Sequence, residues 1–126
     1  MKGAVGCTFA LITEVKAIAK VCPLPVPPEQ IAGLDRLYEL FGSFVARNAV
    51  PPQEWSDLAG YVDAVAQPYR DVIAAEGPEA CEEVTQPDSD VLQMLNNLLQ
   101  MGAPENEAKL AEGLSRPRLP VMNPCL

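Results

Sequence analysis

Three groups of side chains in this sequence are of types that could do chemistry. Asp88-Ser89-Asp90 sets two carboxylates one residue apart, a spacing at which they can converge on a hard cation such as calcium. The glycine and the terminal bidentate glutamate of an EF-hand loop do not follow, so a capped helix start is the expectation. Glu76, Glu79, Glu82 and Glu83 could present two carboxylates on one helical face, as a general acid and base must. Nothing nearby in the sequence supplies an apolar pocket to separate their pKa values, and an exposed acidic turn is the plainer reading.

The third group is the four cysteines, Cys7, Cys22, Cys81 and Cys125. They contain no C-x-x-C pair, which excludes a zinc ribbon and a thioredoxin-like motif. Each reads as a small buried apolar residue, and their spacing alone licenses no disulfide. Cys81 lies among Glu79, Glu82 and Glu83, whose charges disfavour a thiolate. Cys125, next to the last residue, is the thiol expected to react or cross-link.

What is missing narrows the chemistry further. The chain has no histidine, so Ser-His-Asp and Cys-His pairs, HExxH and Cys2His2 sites are all out of reach. Neither a GxGxxG nor a GxxxxGK[ST] phosphate loop is present, and there is no GxSxG. The expectation is a protein that is not an enzyme, with no catalytic, cofactor-binding or metal residues and no cofactor. Trp55, Tyr61 and Tyr69 could line a slot for an apolar ligand between helices, although aromatics at helical spacing usually belong to a core.

The elements that carry these residues are marked out by proline. Pro27-Pro28-Glu29, Pro51-Pro52-Gln53-Glu54, Gly77-Pro78-Glu79, Gln86-Pro87-Asp88 and Ala103-Pro104-Glu105 place proline just before or at the first helical position with an acid in the first turn. There the missing N–H costs nothing and the carboxylate meets the positive end of the helix dipole. Between these marks the apolar spacing is helical. Val5, Phe9, Ile12, Val15 and Ile18 define a first helix over 4–21. Trp55, Leu58, Val62, Val65, Tyr69 and Val72 form a seam expected to pack along a neighbour, running through Pro68, where a kink is expected at the Ala64 carbonyl. Val91, Leu92, Leu95, Leu98 and Leu99 mark a buried face over 88–101, and a more polar helix follows over 105–114. No alternating run calls for a strand. The expected fold is all-α, a compact bundle of five to six helices over residues 1–114 with an extended proline-containing tail over 115–126.

Residues 31–45 carry two adjacent apolar stripes, Leu34/Tyr38/Phe41/Val45 and Leu37/Leu40/Phe44. So wide a face suits a central helix or a surface left for a partner, and Gly42 within it suits a bend or a close crossing. Leu37, Leu40 and Phe44 are therefore interface candidates, together with Tyr61, which lies off its helix's main seam. Leu119, Val121, Met122 and Leu126 of the tail offer further apolar anchors for a partner groove.

Charge bears on the partner. The net charge is −8, and residues 51–113 hold thirteen of the seventeen acids against only Arg70 and Lys109. Such a charge disfavours nucleic acid and anionic membrane surfaces as partners, and no segment is long enough to span a bilayer. The expected function is a non-enzymatic helical interaction or assembly subunit that self-associates or docks a protein partner. The alternative is a small helical carrier of an apolar ligand. A cytoplasmic location is expected, because Glu14 and Lys16 interrupt the apolar run ahead of Ala17-Ile18-Ala19. The alternative is secretion with residues 1–19 acting as a signal peptide.

Overall fold

The structure is a computed structural model that describes residues 5–117 and 119. Among the described residues six α-helices and one 3-10 turn follow one another: α1 Val5–Val21, α2 Pro28–Asn48, α3 Trp55–Glu76, α4 Pro78–Val84, α5 Asp90–Met101, the turn Pro104–Asn106, and α6 Glu107–Gly113. The fold is all-α, and no strand occurs among the described residues. Three of the proline-marked starts place proline in the first turn of α2, α4 and the 3-10 segment. At the other two the prolines lie in the connection just ahead of the helix. The α2–α3 connection contains a cis Val50–Pro51 peptide and is closed by the Gln53 N–H donating to the Ala46 carbonyl at 2.9 Å.

Helix α1 is the centre of the bundle and packs on α2, α3 and α5. Val5, Ile12, Val15 and Ile18 are at most 1% exposed, so an apolar sequence on nearly all sides is what this position requires. A chain cut after Ala19 would lose all four of these side chains from the core. Helix α2 is also internal. Leu34, Leu37, Phe41 and Phe44 are at most 2% exposed, each burial contributing about 1.5–3 kcal/mol.

Of the α2 interface candidates, Leu37 and Phe44 are buried in the core and Leu40 is half-buried. The wide face of α2 is covered by the chain's own C-terminal half. Leu37 lies beneath Gly102, where an added Cβ would come within 3.1 Å of its side chain. Leu40 is half-buried and shares with Leu37 and Leu110 a cleft at the α5–α6 junction. Phe44 joins the core cluster that includes Leu95, Leu98, Leu110 and Leu114. Arg47 stacks its guanidinium 5.2 Å from the Phe44 ring and donates to the Leu114 carbonyl at 3.0 Å, which seats the end of α6 on α2.

Gly42 marks a close crossing. A Cβ there would run into the six-membered ring of Trp55 and into Phe9. Trp55 stacks edge-on against Tyr38 at 5.2 Å and against Phe9 at 6.0 Å, so this half-buried ring packs on the core and holds the start of α3 to α1 and α2.

Helix α3 continues through Pro68. The Ala64 carbonyl cannot receive the usual helical N–H from residue 68, because proline has none. At Asp88-Ser89-Asp90 the serine is the functional residue of the triplet. Its Oγ accepts from the Leu92 N–H at 3.1 Å and donates to the Val84 carbonyl at 2.6 Å, capping α5 and tying it to α4.

The reading of the cysteines as lone thiols is overturned. Cys22, just past α1, and Cys81 in α4 form a disulfide with their Cα atoms 5.3 Å apart, and no described cysteine is a free thiol. The bond lies in a small second core of Ile18, Cys22 and Ile73, flanked by Val84 and Val91. Helix α4 has no buried residue of its own, so this covalent link is what fixes it to the end of α1.

Candidate apolar docking groove

The second half of the α3 seam does not pack as its spacing suggests. Val65, Tyr69 and Val72 are 59%, 42% and 56% exposed, and Tyr61 is 68% exposed. An α-helix advances 100° per residue, and a seam spaced 3-4-3-4 averages 3.5 residues, so it drifts around the cylinder as it ascends. By the last two turns the residues turned inward are Arg70 and Ile73, and the apolar seam has rotated toward solvent. Tyr61, Val65, Tyr69 and Val72, spaced 4, 4 and 3, therefore form an outward stripe along α3.

Tyr61, Val65 and Tyr69 of this stripe form one wall of a groove of about 560 Å³ between α1 and α3, and Val72 continues the stripe beyond it. The opposite wall and floor come from α1, where Gly6, Ala10 and Ala17 have little or no side chain and Phe9 and Thr13 complete the lining. Leu58 and Val62 of α3 and Val45 of α2 close the base. Among the described residues, Glu14 is the one charged residue of the lining. Its carboxylate lies close enough to Tyr69 to add to the effect of burial, and the two together push the Tyr69 phenol above its ordinary range.

A polar network on the other side of the α1–α3 seam holds the groove in shape. Arg70 is 8% exposed and donates through Nη2 to Asp63 Oδ1 at 3.0 Å and to Gln67 Oε1. Lys20 of α1 reaches the same carboxylate at 3.5 Å. Lys16 pairs with Asp35 of α2 at 3.0 Å and lies 3.9 Å above the Tyr38 ring. The Arg70 guanidinium, helped by Lys20, holds Asp63 below the usual carboxylate range. Burial, and then the negative charge of Asp63, raise Tyr38. All three cations of α1 and α3 are thus spent on Asp35 and Asp63. None of them lines the groove.

Of the residues singled out in the sequence, Tyr61 and Tyr69 stand together in the groove, while Trp55 does not line it. Leu119 is 62% exposed. Val121, Met122 and Leu126 lie outside the described residues, as does Cys125. Glu76, Glu79, Glu82 and Glu83 are exposed. The role of Arg70 was missed in the sequence. The signal was available in its spacing, since Asp63 and Gln67 stand seven and three positions earlier on the same helical side. No helix is long and apolar enough to cross a membrane among the described residues. Comparison with known protein families, with curated proteins and with solved structures finds no match.

Proposed function

We propose that this protein is a non-enzymatic helical interaction subunit that docks a protein partner, or a second copy of itself, on the outward stripe of α3 and the adjoining groove. The observation that carries the reading is the contrast between two apolar faces. The α2 face is consumed by the chain's own α5 and α6, whereas Tyr61, Val65, Tyr69 and Val72 of α3 are left 42–68% exposed in one continuous line. Apolar surface of this extent on one helix is costly to leave wet and is typical of association sites. Two of its four residues are tyrosines, side chains that interfaces favour as anchors.

A small-molecule carrier is the second reading, favoured by the groove's volume of about 560 Å³, which is within the range of ligand sites. The exposure of Tyr61 and Val65 counts against it, because such sites bury most of their ligand. The Cys22–Cys81 disulfide further supports work in an oxidising compartment rather than the cytosol. The burial of Val5, Ile12, Val15 and Ile18 supports retention of α1 there.

The test is a photoreactive phenylalanine analogue incorporated in cells at Tyr61, at Val72, and at the exposed Glu83 of α4 as control. Covalent protein adducts at Tyr61 and Val72, absent at Glu83, are expected. Absence of adducts at both α3 positions overturns the proposal.

A further inference from the structure

The geometry points to a cationic amphipathic helix of a protein partner as the occupant of the α1–α3 groove. This inference rests on the docking reading above and names the partner's chemistry. The groove runs along α3 from Leu58 to Tyr69, eleven helical steps, or about 16 Å at 1.5 Å per step. That is three turns, the contact length of a helix laid in a groove through anchors at i, i+3/i+4, i+7 and i+11. The floor on α1 is Gly6, Ala10 and Ala17, residues small enough for another helix backbone to come close.

Charge selects among occupants. Among the described residues, Glu14 is the one charged side chain of the lining. Asp57 stands one turn before Tyr61, and Glu76 one turn after Val72. No ion pair involving these three acids occurs among the described residues. The cations of both walls face the other side of the seam, where Asp35 and Asp63 engage them. A second copy seated on the groove would bring Glu14 and its flanking acids against another chain of net charge −8, and like charges across an interface disfavour that pairing. A helix with an apolar stripe flanked by lysine or arginine meets every feature at once. Its stripe covers Val65 and Leu58, its cations reach Glu14, Asp57 and Glu76, and the Tyr61 and Tyr69 rings offer faces to the same cations.

The probe is a fluorescein-labelled helical peptide of roughly 15 residues with leucines at i, i+4, i+7 and i+11 and lysines on the flanks, set beside a twin with glutamate for each lysine. Anisotropy is followed as the full chain is added. Saturable binding of the lysine peptide alone is expected. Glu14→Lys and Val65→Asp should each weaken it by about tenfold or more, whereas Glu82→Lys, an equal change of net charge on exposed α4, should leave it nearly unchanged. Because Val65 is largely exposed, its variant should retain the helical circular dichroism of the parent.

Equal binding of the two peptides overturns the inference, and so do equal losses for Glu14→Lys and Glu82→Lys. Self-association of the parent chain that Val65→Asp abolishes does the same. If the lysine peptide fails while photo-adducts still form at Tyr61, the partner chemistry is wrong and the docking reading stands. If both fail, neither survives.

Discussion

Replacing Cys22 and Cys81 together with alanine should cost this protein a large part of its stability, and the structure sets the amount. The two residues are 59 apart in sequence. In the chain-entropy account, closing a loop of that length removes about 14 cal/mol/K from the unfolded ensemble, equivalent to about 4 kcal/mol at 25 °C. Total stabilities of about 5–15 kcal/mol are usual, so the loss is about a quarter or more of the whole. Both cysteines must go at once, since a single substitution leaves a thiol free to exchange with other disulfides. The assay is urea unfolding without reductant, followed by Trp55 fluorescence and far-ultraviolet circular dichroism. With a slope of about 2 kcal/mol/M for a chain of this size, the midpoint should fall by about 2 M. Hydrogen exchange should show the largest gain in Pro78–Val84, the helix with no buried residue of its own. A midpoint shift below about 0.5 M, corresponding to less than about 1 kcal/mol, would refute the reasoning, as would unchanged protection in α4.

Other outcomes follow from packing and charge. Gly42→Ala should destabilise by about 1–3 kcal/mol through overpacking despite its better helix propensity, and Trp55→Leu in the same chain should recover part of that loss in a double-mutant cycle of urea midpoints. Phe44→Ala should cost about 3–5 kcal/mol, whereas Val65→Ala should change stability by no more than about 0.5 kcal/mol. Equal costs at the two positions would mean that the two faces have been assigned the wrong way round. Asp63 has its folded pKa depressed by Arg70 and Lys20. Its contribution is therefore present above the ordinary carboxylate value of about 3.9 and lost as pH falls through the lower folded value. Tyr38 and Tyr69 are raised. Their contribution is present below about pH 10 and lost as pH climbs from there toward their folded values. Thermal melts across pH should decline at both ends, and Asp63→Asn should flatten the acid limb.

Much of the scaffold was legible because helix punctuation is local. Pro28 and Pro78 begin helices for the reason any N-terminal proline does, Ser89 caps α5 as its flanking acids and following apolar run suggested, and Gly42 gave away a close crossing. What covers a face is not local. The stripes of α2 carried equal weight as core or as surface until Leu110, Leu114 and Gly102, more than fifty residues later, were seen to lie on them. The α3 seam misled for a related reason. Its spacing is that of a packed stripe, but whether a drifting stripe stays buried depends on where α1 ends and what lies beyond it. The disulfide was illegible because four cysteines permit several pairings and spacing favours none. Arg70 was overlooked because buried arginine is rare unless paired, and the pairing involves Asp63 and Gln67 two turns and one turn away on the same helix.

The central claim is that the apolar line on α3 is covered in the cell by a partner and not by the chain itself. Hydroxyl-radical footprinting of Tyr61 and Tyr69 measures this directly, comparing purified protein with the same protein inside the cells that make it. The account predicts ready modification of both rings in the purified chain and protection of both in the cell, with exposed Leu119 serving as an internal reference. Equal modification in the two settings would contradict it.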